Sequence, residues 1–227
     1  MPFSRMIFVA AAATVFATAS CADFLRIEAG AGAFVAEPGG TFDDRNGHTL
    51  VDLEDAGFDT ESDLYFWAYL KHPVPVVPNV RIEYLGLNNS PDGGDSFRVD
   101  EFDGILYYNF LDNLLWITLD LGLDIKYITT DSDTLESETA ALGLLYGRLR
   151  LEPLDWLGVE ALLKVTNYGD NKGYDARLKA DVTLTMVPVI QPALEVGYRI
   201  HKIRYDIGDV INKAEYTGVY AGLMLRF

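Results

Sequence analysis

The residues best suited to acid–base or nucleophilic chemistry near neutral pH are three histidines, His48, His72 and His201, and one cysteine, Cys21. His48 lies among acids, His72 opens a proline-rich turn, and His201 sits near the end of a strand-like segment. An acid–imidazole pair of Asp206 with His201 is compatible with base catalysis. A solvated or ion-paired histidine accounts for the same residues with less. No G-x-S-x-G, H-E-x-x-H or phosphate-binding glycine loop occurs. No catalytic residue, cofactor or metal is therefore assigned, and no enzymatic activity is expected. Asp52, Glu54, Asp55, Asp59 and Glu61 are the densest carboxylate set. Oxygen ligands suit Ca²⁺ or Mg²⁺, but EF-hand spacing is missing, and a solvated charge run is the simpler reading.

The elements that must position these groups begin with an export signal. Arg5 supplies a positive start, Met6 to Thr18 is an apolar run, and Ser20-Cys21-Ala22 precedes Asp23 as a small-residue cleavage site. Cleavage between Ala22 and Asp23 divides the chain into a signal peptide, 1–22, and one domain, 23–227. Cys21 leaves with the signal, so no disulfide framework or thiolate metal site remains. The formal charge of −16 argues against nucleic acid as a partner, because phosphate contacts need lysine and arginine. No later stretch reaches 18 consecutive apolar residues, which argues against a helical membrane protein.

Ten segments alternate with period two, the signature of strands with two unlike faces. They are Phe24–Ala36, Asp63–His72, Val80–Asn88, Phe97–Phe110, Leu115–Ile128, Glu138–Leu151, Leu157–Asn167, Tyr174–Met186, Pro192–Lys202 and Glu215–Phe227. All run 9 to 14 residues, longer than the five or six usual in a soluble sheet, and suit tilted membrane strands. Connections alternate between long polar loops and short turns, several carrying proline, as a membrane barrel's do. The expected fold is an all-β, transmembrane, antiparallel up-and-down barrel of about ten strands. Aromatic belts are expected at both ends. Tyr127, Tyr168, Tyr174, Tyr205 and Tyr216 mark the long-loop end, and Phe24, Phe110, Trp116, Trp156 and Phe227 the short-turn end.

One row of each strand is apolar. The other carries acids and bases that almost cancel: Arg26, Glu28, Arg81, Glu83, Asp120, Asp124, Lys126, Arg148, Glu160, Lys164, Arg177, Lys179, Asp181, Glu195 and Arg199, with Glu101, Asp103, Asp175, Arg150, Lys71 and Arg226 in the same rows. Facing inward, such a set can cross-link itself by ion pairs, as buried charge requires. Ten strands lie close to the eight that side chains just fill, so a plugged or very narrow lumen is expected. The segment Glu138–Leu151 is ambiguous, because Leu142 and Leu144 share a row with Arg148 and Arg150.

The last strand pairs an apolar row with Tyr216, Gly218, Tyr220 and Gly222, and stops on Phe227. It resembles the C-terminal assembly signal of bacterial outer-membrane barrels. The run from Asp55 to Asn79, with Leu145-Tyr-Gly-Arg148, Tyr168-Gly-Asp-Asn-Lys172 and Tyr220-Ala-Gly222, resembles a family of small proteobacterial outer-membrane barrels. That resemblance implies a place in the outer membrane and a fold, but no activity. The implied partners are outer-membrane lipids, including lipopolysaccharide, and the barrel assembly machinery reading the C-terminal strand, with the barrel a monomer. The expected role is structural or surface-interacting, ahead of a narrow channel for small solutes and of an outer-rim enzyme acting on lipid or peptide.

Overall fold

The computed structural model describes residues 25–44, 49–53, 61–89, 97–132, 138–184, 190–207 and 210–227. The expected signal segment and its expected cleavage site at Ala22 and Asp23, with Phe24, Cys21, His48, Glu54, Asp55, Asp59 and Met186, lie outside them. The described residues form strands β1 (Arg26–Gly39), β2 (Thr41–Asp44), β3 (Thr49–Asp52), β4 (Glu61–Lys71), β5 (Asn79–Asn89), β6 (Phe97–Leu114) and β7 (Ile117–Ser132). Then follow β8 (Glu138–Leu154), β9 (Leu157–Tyr168), β10 (Asn171–Thr183), β11 (Gln191–Ile207), β12 (Val210–Asn212) and β13 (Glu215–Arg226).

Ten of these close into an antiparallel barrel. Its staves run β1–β4–β5–β6–β7–β8–β9–β10–β11–β13 and back to β1. Consecutive antiparallel staves are what short connections produce. Closure lies between the first and last strands, in a register from Glu28 opposite Arg226 to Gly39 opposite Glu215. The ladder continues past the strand end, where the Phe227 amide donates to the Ile27 carbonyl at 2.9 Å. A closed barrel has no free edge, so every stave finds two partners.

Alternation decides the facing. Each stave exposes large apolar side chains outward: Val35, Leu64, Val80, Leu106, Leu123, Leu145, Leu163, Leu178, Leu194 and Leu223 carry that surface around the whole circumference. Leu64 is 71% exposed, where a water-soluble sheet would place a polar residue. The opposite rows are buried in the lumen. There Leu142 and Leu144 point inward with Arg148 and Arg150, which settles the ambiguous segment.

The belts differ from the sequence reading. Tyr127, Tyr168 and Tyr174 are exposed at the long-loop end, and Phe110, Trp116, Trp156 and Phe227 at the short-turn end. Tyr205 and Tyr216 are instead 4% and 3% exposed, because they share the inward rows of His201 and Tyr220. The turn between β6 and β7 also falls later than the sequence suggests. Leu115 and Trp116 form it with positive φ, 53° and 63°, after an irregular stretch of ladder beyond Asn109. The long first and last loops carry further strands among their described residues. They contribute β2, β3 and β12, which pair as β11–β12–β2–β3 and extend one wall beyond the barrel.

Candidate functional site

The barrel's interior is where its ionisable groups meet. All the charged residues assigned to the non-lipid rows face inward, most of them almost completely buried. Their strands place them in tiers along the lumen. Near the short-turn end, Arg26 makes a forked pair with Glu152, at 3.0 and 2.8 Å, and a further bond to Glu28 at 2.9 Å. Arg226 reaches Glu28 and Asp181, both at 3.0 Å. Arg150 grips Asp181 through two nitrogens at 2.8 and 3.0 Å.

In the middle tier Arg148 bridges Asp120 and Glu160, each at 2.7 Å, and lies 4.6 Å from the centre of the Tyr69 ring. Glu83 collects Arg81 and Lys164 at 2.6 Å each, and Arg177 as well. Lys164 also lies 2.9 Å from Asp103 and 3.4 Å from Asp124. Trp67 receives the Arg81 guanidinium at 4.7 Å and the Lys179 ammonium at 4.3 Å, both over its ring. Its indole N–H donates to Glu195 Oε1 at 3.1 Å, and the Tyr65 hydroxyl donates to the same oxygen at 2.7 Å. The ring fits only because β1 has no side chain beneath it: a Cβ on Gly30 would stand 2.5 Å from the indole nitrogen.

Toward the long loops, Lys126 pairs with Glu101 and Asp103 at 2.7 and 3.0 Å, and Arg199 with Asp175 at 2.8 Å. His201 Nε2 meets Glu101 Oε1 at 2.7 Å. Above this tier the inward rows turn apolar, with Leu85, Leu87, Val99, Ile128, Ile203 and Tyr205.

Three of these contacts cross the lumen. Arg26 on β1 meets Glu152 on β8, Glu83 on β5 meets Arg177 on β10, and Glu101 on β6 meets His201 on β11. In a ring of ten staves each pair joins strands five places apart, which are opposite walls. The bore is therefore tied shut at three heights. A cavity of about 20 Å³ remains among Phe34, Tyr65, Trp67, Arg81, Glu160, Arg177, Lys179, Arg199 and Tyr220, room for about one water.

His201 belongs to this network rather than to an exposed rim. It is 3% exposed, and its contacts are Glu101, Asp175 and the Tyr216 ring. Among the described residues its recorded partners are carboxylates and a tyrosine ring, which orient the imidazole. The side chain of Asp206 lies outside the described ones. His72 holds the turn before β5, with Nε2 3.1 Å from the Pro78 carbonyl oxygen. No cluster of three metal-ligating side chains occurs among the described residues. In the last strand Tyr216 and Tyr220 face inward, Gly218 and Gly222 lie against β1, and Phe227 is exposed.

Sequence reasoning left out Glu152, reading it as part of a turn beside Pro153. Its parity was the missed signal, since it continues the inward row of Arg148 and Arg150. The aromatic contributions of Tyr65, Trp67 and Tyr69 were also missed. Nothing in composition distinguishes a ring that stacks on a cation from one that fills space.

No family model matches the chain, and no curated protein matches it. Among solved structures, the crystal structure of a Pseudomonas aeruginosa FadL homologue covers 96% of this chain and 93% of its own, at 8% identity and a TM-score of 0.39. A similarity that low lends no weight to any reading of the role.

Proposed function

We propose that the protein is an outer-membrane β-barrel whose lumen is plugged by ion pairs, with a structural or surface-interaction role. The observation that carries this reading is the inversion of its two faces. Apolar side chains cover the outside of every stave, and charged ones fill the inside. A continuous exposed apolar surface is tolerated only against lipid or a partner. A closed barrel of strands is one of the two structures that can satisfy its backbone there. Two-residue and seven-residue connections occur at both ends, and the longest connection, 40–60, marks the end that faces outward in this reading. In this reading the protein is exported by a cleaved signal peptide and is a monomer. Its outer surface contacts lipid, including lipopolysaccharide, and its C-terminal strand is the element that the assembly machinery engages.

The plug supports a non-conducting barrel over a channel. Moving an ion through the bore requires three cross-lumen pairs to open, one buried and two partly buried, each with a cost to separate. The test is conductance of the refolded chain in a planar bilayer across a range of salts. A folded, inserted barrel is expected to stay silent. Discrete, reproducible openings would replace this reading with that of a narrow channel for small solutes.

A further inference from the structure

Almost every described cation in this acidic chain has a carboxylate partner. Those in the lumen are paired as above, with Lys179 also 3.1 Å from Glu195. Lys71 is paired with Asp112, Arg98 with Asp100, Lys213 with Asp43 and Lys202 with Glu215. Lys172 and Arg204 differ: among the described residues neither makes an ion pair, and both are exposed. They stand directly opposite one another in the β10–β11 ladder. Like charges in that arrangement repel, because the side chains leave the sheet about 5 Å apart. The acids near them in sequence or register are Asp170, in the β9–β10 turn, Asp206, two residues beyond Arg204 and with its side chain outside the described ones, and Glu215, which is taken by Lys202.

Their position is as informative as their charge. Along β10 the outward row reads Leu178, Ala176, Tyr174, Lys172 toward the long loops; along β11 it reads Val196, Tyr198, Ile200, Lys202, Arg204. The β10 row passes from aliphatic through tyrosine to basic, and the β11 row from apolar, ending on Ile200, to basic. That order matches a lipid leaflet, with hydrocarbon first, then the interfacial zone favoured by tyrosine, then headgroup phosphate. We infer that Lys172 and Arg204, supported by Lys202, form a binding site on the outer wall for the phosphate of an anionic lipid headgroup. The inference rests on the membrane-barrel reading above. An arginine supplies a planar fork for phosphate oxygens and a lysine a point charge, so the repulsion between them is relieved by the ligand.

The test titrates the full chain, refolded in neutral detergent, with bisphosphorylated lipid A and counts bound copies by native mass spectrometry. Saturable binding is expected, weakened roughly tenfold in Lys172→Ala/Arg204→Ala. The charge-preserving Lys172→Arg/Arg204→Lys and the remote Arg98→Ala are expected to leave it unchanged. Equal binding by the double alanine variant, or by lipid A stripped of phosphate, would overturn the site. Displacement of lipid A by inorganic phosphate at equal concentration would overturn the lipid assignment. A separate arm adds the chain to phosphatidylcholine vesicles. Failure to insert there removes the membrane reading itself, whereas insertion without lipid A binding removes only this site.

Discussion

Replacing Glu83 by glutamine removes one negative charge and almost no volume from the centre of the plug. Three cations lose their shared partner. Arg177 keeps Asp175 at 2.7 Å, and Lys164 keeps Asp103 at 2.9 Å. Arg81 keeps only Glu160, at 3.8 Å, too far for a hydrogen bond. One buried guanidinium is thus left without a bonded carboxylate, and the lumen gains a net positive charge. Two magnitudes bracket the outcome. If the lumen is dry, breaking a buried pair costs about 3–5 kcal/mol. If water fills it, the pairs behave as exposed ones, worth about 0–1 kcal/mol. The assay is urea unfolding in phosphatidylcholine vesicles, followed by tryptophan fluorescence and by the heat-dependent gel shift of folded barrels. Glu83→Gln is expected to lose stability in the upper range. A double cycle with Arg177→Met should return a coupling of about 1 kcal/mol or more, as contacting residues do. A loss below about 1 kcal/mol together with no coupling would refute the dry plug and the cross-lumen strut.

Two further outcomes follow from the closure and the faces. In Gly218→Val the new Cβ would stand 1.9 Å from the Val35 carbonyl oxygen and 2.8 Å from the Ala36 Cα, backbone atoms that cannot yield singly. Refolding yield is expected to collapse, and a normal heat-shifted band from this variant would contradict the β1–β13 register. Trp67 is buried in the lumen, whereas Trp116 and Trp156 are exposed at the short-turn end. Brominated lipids should quench the native chain strongly and Trp116→Phe/Trp156→Phe hardly at all; strong quenching of that variant would place Trp67 against lipid instead.

The staves could be read because their period is two and their length is sustained. From Ile117 to Tyr127 every second residue is apolar, and no helical period fits. The same parity gave the inward charges. It failed where residue type was allowed to outrank row, as with Tyr205 and Tyr216, taken for interfacial tyrosines although their rows point inward. The small extension sheet was out of reach for another reason. Its strands have 4, 4 and 3 residues, too few to show a period. One of its pairings, β12 with β2, joins the chain's two ends. Partners in the lumen are unreadable in the same way, since parity fixes which side a charge takes and says nothing of which opposite charge it meets.

The three struts also bear on how the barrel comes apart. Their ends are 126, 94 and 100 residues apart along the chain. None can form until the staves between them are hydrogen-bonded in sequence, so these contacts come after the ladder and cannot guide it. Interactions absent from the rate-limiting assembly act on the reverse rate. The charged interior is then a latch more than a scaffold: it adds little to the speed of closing and much to the time the barrel stays closed.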